Sequence, residues 1–543
     1  LIRPYIGSFM IISFLFLRII LKNKNSNKMA SILWVDDEID LLKPHVIYLE
    51  QKGYNVKSSR SGDDAIDLLK GNNYDLIFLD ENMTGLSGLE TLAIIKEKYP
   101  RIPVIMITKN EEESIMDEAI GSKISDYLIK PVNPRQILLA IKKNIETSQL
   151  VREKIISNYQ SEFNKLSRDI FSNLDYNEWK ELYKRIVFWE LEIGSDSDAE
   201  ISDIIEMQKV QANNQFCKFI SNNYKSWLNN ENSPLLSNKV FQKKVFPEIE
   251  KDQTLYFVLI DNLRYDQWKM ISSLISKDFY VVEDDIYYSI IPTSTQYSRN
   301  SLFSGLHPLE IQRKFPEYWK NDSEEGGKNM YEELFLRKLL EDRYHEKIKL
   351  SYNKITNIDF GKKFLSQINN LSKNELNVIV YNFVDMLSHA RTDMKVIKEL
   401  AEDDYAYRSL TLSWFEHSPL RDILRKISEQ HAKLIITTDH GTINVEKPIK
   451  IIGDRNVNSN LRYKQGKNLN YKANEVFEII DPHSYLLPKQ NISSKFIFST
   501  EKNYFVYQNN YNNYVNFYKN TYQHGGISME EMLVPIIKLN SKK

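Results

Sequence analysis

Six side chains between residues 261 and 524 are of the types that bind zinc-like metal ions. They are Asp261, Asp385, His389, Asp439, His440 and His524. Each of the three aspartates ends an apolar, strand-like run, which predicts that their carboxylates meet at one edge of an α/β sheet. His389 lies four residues after Asp385, a spacing that returns it to the same face if a helical turn follows. Carboxylate oxygens and imidazole nitrogens in this number can hold two such ions, and two close metal ions indicate hydrolysis of a phosphate ester.

A string rich in serine and threonine, residues 291–308, contains the candidate nucleophile. The sequence predicts that a helix begins near Thr295 within this string. A hydroxyl at the N-terminus of a helix meets the positive end of the helix dipole and free N–H groups, which favour phosphate. Coordination to a metal ion would lower the pKa of that hydroxyl and make it a nucleophile. From the residues alone, Thr295 is the first candidate and Thr293 is its nearest rival.

The first part of the chain has polar side chains of a different kind at the ends of strand-like runs. They are Asp36, Asp37, Asp80, Thr108 and Lys130. Helical patterns lie between these runs, so the sequence predicts a doubly wound parallel sheet with its polar residues at the carboxyl ends of the strands. Clustered carboxylates attract a hard cation such as Mg²⁺. Asp80 is then a plausible phosphoryl acceptor, with Lys130 adding positive charge and Thr108 a hydrogen bond.

Composition limits the remaining possibilities. The chain has 543 residues, which favours three or more domains, and it is 42% hydrophobic and 27% charged, as is typical of soluble globular protein. A net charge of -1 gives no overall field that favours nucleic acid or a membrane surface. Cys217 is the only cysteine, so no internal disulfide can form, which fits a reducing compartment.

Residues 1–28 differ from the rest because 5–21 are almost entirely apolar and lysines follow. The apolar run is short for a membrane span, and Met29 directly precedes a typical domain start. We therefore expect 1–28 to be a non-native extension and the protein to be cytoplasmic. The alternative is a membrane anchor whose basic flank would hold the rest of the chain in the cytoplasm.

Residues 151–250 show apolar and aromatic residues at helical spacing, which predicts a helical linker bundle. A DNA-reading helix-turn-helix is the alternative, but no basic recognition helix with a glycine turn is visible. Two polar, aromatic-rich stretches, 309–375 and 450–520, interrupt the following domain. We interpret them as cap inserts, with strands predicted at 504–507 and 511–518.

Residues 29–150 resemble a response-regulator receiver domain. The string Val-Asp-Asp-Glu, Asp80, Thr108 and the Lys130–Pro131 pair carry the resemblance. It implies that a sensor histidine kinase phosphorylates Asp80 and that Asp36, Asp37 and Asp80 bind Mg²⁺. Two further residues take their roles from it: Asn82 as the metal-binding carbonyl and Tyr127 as the aromatic switch. Lys109 departs from the family pattern, in which a smaller residue is common.

Residues 251–543 resemble the alkaline phosphatase superfamily, and in particular its PglZ branch. In the phosphodiesterase members a threonine precedes the glycine of a similar string by ten residues, as Thr295 precedes Gly305, which favours Thr295 over Thr293. The resemblance implies two Zn²⁺ sites. One consists of Asp385, His389 and His524, and the other of Asp261, Asp439 and His440, with Thr295 at its metal. Arg299 and Asn300 are loosely matched candidates for substrate contacts.

The order of domains resembles the PorX-like response regulators of type IX secretion. That resemblance implies a homodimer on phosphorylation, and partners that include a sigma factor and secretion-machinery components. It also implies a two-zinc phosphodiesterase acting on nucleotide or oligonucleotide phosphodiesters. The alternative is a signalling adaptor that binds proteins through a metal-stabilised but catalytically idle effector domain. A transcription factor that acts on DNA directly is a second alternative.

Overall fold

The structure is a computed structural model. Its described residues are 29–100, 102–109, 124–194, 199–230, 232–322, 324–344, 348–382, 403–453, 458 and 460–542. The chain divides into two compact units, one ending at Glu162 and the other beginning at Phe163. The apolar segment 1–28 lies outside the described residues. Among the residues described, no helix is both long and apolar enough to cross a membrane.

The first unit contains a five-stranded, all-parallel sheet in the order β2-β1-β3-β4-β5. Its strands are β1 (Ser31–Val35), β2 (Asn55–Ser59), β3 (Leu76–Asp80), β4 (Val104–Thr108) and β5 (Asp126–Ile129). Its helices are α1 (Lys43–Gln51), α2 (Gly62–Gly71), α3 (Gly88–Lys98) and α4 (Pro134–Ile141), with short turns at Ile39–Leu42 and Lys142–Glu146. This confirms the predicted doubly wound fold.

Alternation along the strands builds two cores, one on each face of this sheet. Ile32 and Trp34 of β1 belong to one apolar cluster, and Leu33 and Val35 belong to the other. Both faces are covered, which explains why the strands read as continuous apolar runs. Gly88 opens α3 and allows close packing, because a Cβ there would lie 2.3 Å from the carbonyl oxygen of Asp80.

Three helices follow, as the sequence predicts. They are α5 (Thr147–Ile170), α6 (Tyr176–Ile193) and α7 (Ala199–Trp227). Asp175 and Glu178 form a capping box that begins α6. Aromatic residues of these helices contribute to the core. Trp179 of α6 meets Phe216 of α7 at 5.3 Å between ring centroids, and Phe216 stacks on Tyr288 of the following domain at 6.3 Å. Helices α6 and α7 of the linker are therefore packed against the effector domain within the second unit.

The effector domain is built on a six-stranded mixed sheet in the order β7-β18-β10-β6-β9-β8. Its strands are β6 (Leu255–Ile260), β7 (Phe279–Tyr288), β8 (Leu350–Ile355), β9 (Leu376–Tyr381), β10 (Lys433–Thr437) and β18 (Leu533–Ser541). Strands β10, β6, β9 and β8 are parallel, and β18 runs antiparallel to both of its neighbours. Every residue of β6 and β9 is buried, as expected for strands in the middle of an α/β sheet.

The effector domain and its inserts also contain helices and short turns. The helices are α8 (Tyr265–Ile275), α9 (Thr295–Ser304), α10 (Pro308–Lys314), α11 (Glu332–Arg343), α12 (Ile358–Gln367), α13 (Asp404–His417), α14 (Pro419–Ser428), α15 (Tyr511–Tyr518) and α16 (Met529–Met532). The turns are Ser237–Lys239, Phe241–Val245, Phe246–Glu248, Ile368–Lys373, Ala473–Glu475 and Pro482–Tyr485.

Small sheets account for most of the insert at 450–520. Their strands are β11 (Ile443–Val445), β12 (Lys447–Ile451), β13 (Tyr463–Gly466), β14 (Val476–Ile479), β15 (Lys495–Ser499), β16 (Asn503–Tyr507) and β17 (Thr521–Gln523). The strand predicted at 504–507 is confirmed, but the strand predicted at 511–518 is wrong, because this segment is α15. Tyr511, Val515 and Tyr518 pack on one apolar cluster at helical spacing. Within 309–375, β8 is an edge strand of the main sheet and not part of an insert.

A buried lysine joins the linker to the effector domain. The ammonium of Lys209 on α7 lies 3.0 Å from Asp404, 3.3 Å from Glu190 and 3.5 Å from Glu530. Burial alone would lower the pKa of Lys209, but the surrounding carboxylates raise it well above its ordinary value. Cys217, two turns further along α7, donates a hydrogen bond to the carbonyl of Ile527 over 2.9 Å. The helix is therefore held to the domain by polar contacts as well as by its aromatic face.

A second cation extends this network towards the end of β6. Arg264 donates to Asp404 over 2.8 Å and to Asp266 over 2.9 Å, and its side chain is only 1% exposed. Arg408 lies 3.2 Å from the same Asp266. Breaking such a buried network by removing one partner leaves uncompensated charge, which destabilises strongly.

We expect Lys209→Met to destabilise the second unit by about 3–5 kcal/mol, because Glu190, Asp404 and Glu530 lose a shared cation. Urea unfolding followed by circular dichroism measures the change. Lys165→Met is the matched control, since Lys165 is exposed on α5. Equal stability of the two variants would contradict the assigned role of Lys209.

Candidate metal centre and phosphorylation site

The carboxyl ends of β6 and β10 bring three predicted metal ligands together. These strands are parallel neighbours, with Leu259 opposite Thr437, so the residues that follow them emerge at one edge of the sheet. Asp261, Asp439 and His440 are buried there and offer ligand atoms that all lie within 4.8 Å of one another. Two carboxylates and an imidazole are a donor set that suits zinc.

His440 lies at the centre of this group. Its Nε2 is 3.6 Å from Asp439 Oδ2 and 3.9 Å from Asp261 Oδ1. Its Nδ1 is 3.2 Å from the carbonyl oxygen of Gly441. A proton on Nδ1 would satisfy that carbonyl and leave the Nε2 lone pair facing the two carboxylates, which is the arrangement of a metal-binding histidine.

Thr295 is the first residue of α9, and its hydroxyl reaches the same centre. The Oγ1 of Thr295 lies 3.1 Å from Nε2 of His440. Ser294 is the N-cap residue in extended conformation, so the hydroxyl stands at the N-terminus of a ten-residue helix. The free N–H groups and the dipole of that helix end favour an anion beside Thr295.

Thr293 has a different environment from Thr295. Its hydroxyl donates to the carbonyl of Gly526 over 2.7 Å and accepts from the N–H of Gly525 over 3.1 Å. Both glycines directly follow His524, whose Nδ1 is 3.2 Å from the carbonyl oxygen of Thr293. Thr293 therefore fastens the loop that carries His524.

The predicted ligands of the other metal site are only partly described. His524 stacks on His440 with ring centroids 4.2 Å apart and an angle of 18° between the planes. This brings a residue assigned to one zinc site beside a residue assigned to the other. Asp385 and His389 lie outside the described residues and stay predictions. Strand β9, which precedes them, ends at Tyr381 opposite Ile260 of β6.

Arg299 is the site residue whose role the sequence reasoning missed. Its buried guanidinium pairs with Asp261 through Nη2, and its Nε lies 3.0 Å from Asp439 Oδ2. Nη1 lies 3.6 Å from Glu332. Burial would lower the pKa of Arg299, but these carboxylates raise it well above its ordinary value. Its position four residues after Thr295, on the same helix face, is the signal that could have indicated the contact.

Arg299 and Asn300 contact protein groups, and their contact with substrate stays a prediction. Burial would raise the pKa of Asp439, but Arg299 and His440 lower it below its ordinary value, so this carboxylate is ionised. Asn300 donates to the carbonyls of Gln296 and Lys328 over 2.8 and 3.0 Å. Both side chains thus contact protein groups in this structure.

The first unit has its own acidic cluster at the carboxyl ends of β1 and β3. Asp36, Asp37 and Asp80 offer carboxylate oxygens within 4.8 Å of one another, as a hard divalent cation requires. The ammonium of Lys130 lies 2.9 Å from both Asp36 and Asp80. Burial raises the pKa of Asp80 to about 6, although the hydrogen bond from Lys130 acts in the opposite direction.

The remaining predicted residues of this unit lie around the same edge. Thr108 ends β4 and is buried, and its hydroxyl donates to a carboxylate oxygen of Glu81. Tyr127 lies on the neighbouring β5 and is 41% exposed. Asn82 is in the turn that follows β3. The geometry thus joins Asp36, Asp80 and Lys130 directly, with Thr108 linked through Glu81.

Three family descriptions match the chain in succession. They are "Response regulator receiver domain" at 32–142, "PorX response regulator linker domain" at 149–228, and "BREX system PglZ alkaline phosphatase-like domain" at 240–539. The last match covers more than half of the chain. Receiver domains pair with sensor histidine kinases, and both the receiver and the alkaline phosphatase-like families generally use metal ions.

Two curated relatives match about a fifth of this chain. Transcriptional regulatory protein ResD of Bacillus subtilis (strain 168) is 38% identical over 113 residues, which are 21% of this chain and 47% of ResD. Alginate biosynthesis transcriptional regulatory protein AlgB of Pseudomonas aeruginosa is 35% identical over 125 residues, 23% of this chain and 28% of AlgB. The chain therefore spans less than half the length of these relatives.

A solved structure is also similar to part of this chain. A response regulator receiver domain protein from Clostridium thermocellum is 29% identical, with a TM-score of 0.22, and the match covers 22% of this chain and 98% of that one. The matched families account for the receiver, the linker and the effector in one continuous order. The chain belongs to the response regulators of PorX-like architecture, in which a receiver and a PorX linker domain precede a PglZ alkaline phosphatase-like domain.

Proposed function

We propose that this protein is a response regulator whose phosphorylation on Asp80 controls a two-zinc phosphodiesterase. The observation that carries the enzymatic part is the Thr295 hydroxyl, 3.1 Å from Nε2 of His440 at the N-terminus of α9. That imidazole belongs to the buried group with Asp261 and Asp439. A hydroxyl, an anion-binding helix end and a zinc-type donor set are the parts that phosphoryl transfer requires.

The zinc-binding residues fall into two groups. Asp261, Asp439 and His440 would hold one ion, and Asp385, His389 and His524 the other. When bound, the ions would supply Lewis-acid charge that lowers the pKa of a hydroxyl and neutralises phosphate oxygens. Asp439 and His440 are both fully buried, so this charge acts in a medium where it is weakly screened.

Thr295 carries out the transfer itself. Its oxygen attacks phosphorus in line, forming an O–P bond while the bond to the leaving oxygen breaks and that oxygen takes up a proton. Water then attacks phosphorus, which restores the Thr295 hydroxyl and releases a phosphomonoester. The N–H groups at the start of α9 bind the non-bridging oxygens in both steps. The substrates are phosphodiesters, with nucleotides and oligonucleotides as the class we favour.

Phosphorylation of the receiver controls the effector domain. A sensor histidine kinase transfers a phosphoryl group to Asp80, with Mg²⁺ held by Asp36, Asp37, Asp80 and the carbonyl of Asn82. Lys130, already between Asp36 and Asp80, neutralises part of the added charge. Thr108 and Tyr127 then change position and favour a homodimer.

The PorX-like architecture supports a proposal about the setting of this activity. We propose that the protein acts in the cytoplasm and regulates type IX secretion. Its proposed protein partners are a sigma factor and components of the secretion machinery. Copurification of these components with the phosphorylated chain, but not with the Asp80→Asn variant, would support this assignment.

We expect Thr295→Ala to reduce zinc-dependent cleavage of bis(p-nitrophenyl) phosphate by about 10³-fold or more, because the attacking oxygen is removed. Zinc content, measured by atomic emission, should remain that of the wild type. Thr295→Ser is the matched control and should retain most of the activity, since it keeps the hydroxyl. A zinc-loaded wild type that cleaves no phosphodiester would instead favour the catalytically idle adaptor.

We expect Arg299→Met to destabilise the metal-free protein by about 3–5 kcal/mol, because Asp261, Asp439 and Glu332 lose their common cation. Thermal unfolding after chelation measures this effect, with Arg313→Met, an exposed substitution on α10, as the control. Added zinc should reduce the difference in stability between Arg299→Met and the wild type, because zinc neutralises the same carboxylates. Identical unfolding temperatures of Arg299→Met and the wild type without metal would contradict this role.

The raised pKa of Asp80 makes stability depend on pH. Between the ordinary value of 3.8 and about 6, the folded receiver binds the Asp80 proton more tightly than the unfolded chain does. Stability therefore falls as pH rises through that window, and ionised Asp80 destabilises the receiver at neutral pH.

We therefore expect Asp80→Asn to stabilise the receiver by about 1–2 kcal/mol at pH 7.5, and the gain to disappear towards pH 4. Calorimetry of the full chain measures the receiver transition, and Mg²⁺ should raise this transition in the wild type more than in the variant. A constant difference between pH 4 and 7.5 would show that titration of Asp80 is not its cause.

A further inference from the structure

Glu81, the residue after the proposed phosphoryl acceptor, is buried beside the switch residue Thr108. A carboxylate oxygen of Glu81 accepts the hydrogen bond that the Thr108 hydroxyl donates. Glu81 is 9% exposed and Thr108 is 5% exposed. Nothing in the receiver resemblance or the family matches gives Glu81 a role.

The backbone fixes the direction in which Glu81 points. Its N–H donates to the carbonyl of Ile107 over 2.9 Å, and its own carbonyl accepts from the N–H of Gly88 over 2.8 Å. A Cβ at Gly88 would lie 2.6 Å from the Cα of Glu81, so α3 packs tightly on this residue. Glu81 is therefore held between β4 and α3 with its side chain beside Thr108.

The local cation is engaged with other carboxylates. Lys130 lies 2.9 Å from Asp36 and 2.9 Å from Asp80. In the described part of the chain, Glu81 forms no ion pair with a basic side chain, and Thr108 is its side-chain hydrogen-bond donor. The hydroxyl of a threonine has one proton and can donate it to one acceptor at a time.

We propose that Glu81 is a positioning residue that holds the Thr108 hydroxyl in the unphosphorylated receiver and so opposes the phosphorylated state. This inference rests on the proposed phosphorylation of Asp80. A phosphoryl group there must take the Thr108 proton from Glu81, which leaves a buried carboxylate without that donor. The phosphoryl group also places negative charge near the Glu81 carboxylate. Glu81 thus shifts the equilibrium of the receiver towards its unphosphorylated state.

The test uses the full chain with Mg²⁺ and beryllofluoride, a mimic of the phosphoryl group, and ¹⁹F NMR of the bound fluorides. Glu81→Gln keeps the shape of the side chain but removes its charge and weakens its hold on the hydroxyl. We expect beryllofluoride to bind about 5- to 10-fold more tightly to Glu81→Gln than to the wild type. Glu97→Gln is the control, because it makes the same charge change at an exposed position of α3.

A double-mutant cycle with Thr108→Ala separates the hydrogen bond from a general effect of charge. If Glu81 acts by holding the hydroxyl, Glu81→Gln should change beryllofluoride affinity by less than about twofold in the Thr108→Ala background. An undiminished effect there would overturn the proposed action through Thr108. Thermal unfolding of each variant in the absence of beryllofluoride checks that the receiver is folded.

The outcomes also separate this inference from the proposed phosphorylation site. Wild-type protein that gives no bound fluoride signal would overturn Asp80 as the acceptor, and the role of Glu81 with it. A signal in the wild type that is lost in Asp80→Asn, together with unchanged affinity in Glu81→Gln, would overturn the role of Glu81 alone. Equal gains in Glu81→Gln and Glu97→Gln would overturn it as well.

Discussion

Two carboxylates on adjacent parallel strands impose the main physical constraint on the effector domain. Because β6 and β10 run in parallel register, Asp261 and Asp439 emerge side by side, and both are buried. Like charges in a medium of low dielectric constant require a cation between them. Arg299 supplies one in this structure, and it comes from the same helix that begins at Thr295. The fold thus links the charge balance of the site to the position of the candidate nucleophile.

The linker contributes to the same architecture. Lys209 on its helix α7 pairs with Asp404. Asp404 also pairs with Arg264, which lies three residues after Asp261 in the sequence. Asn213 on α7 donates to Glu530 over 2.9 Å, on the helical turn that follows the His524 loop. One linker helix therefore contacts the segment that follows His524 directly, and reaches the segment that follows Asp261 through Asp404. A change in the position of that helix would reach these segments through buried polar contacts, which transmit small movements because they are tightly packed.

Much of the site could be predicted because strand ends have a simple sequence signal. Apolar runs that stop at Asp80, Asp261 and Asp439 indicated the correct sheet edges, and parallel neighbours bring such residues together. The ten-residue interval to Gly305 favours Thr295 over Thr293 by resemblance, but the hydrogen bonds of Thr293 to Gly525 and Gly526 could not be predicted from spacing. The partners of Arg299 and Glu81 belong to distant segments, and no local pattern specifies them. The tyrosine-rich segment that forms α15 was predicted to be a strand because aromatic residues favour strands. In the structure its side chains pack with the period of a helix.

The single cysteine has a consequence for studying these movements. Cys217 is on the face of α7 that meets Ile527, and burial raises the pKa of its thiol to about 12. Nucleophilic attack by cysteine requires the thiolate, so the native thiol is chemically silent at neutral pH. Alkylating reagents would therefore modify this chain at one position, and only in molecules where the linker helix has separated from its neighbour. The rate of Cys217 alkylation would therefore report how often that interface opens.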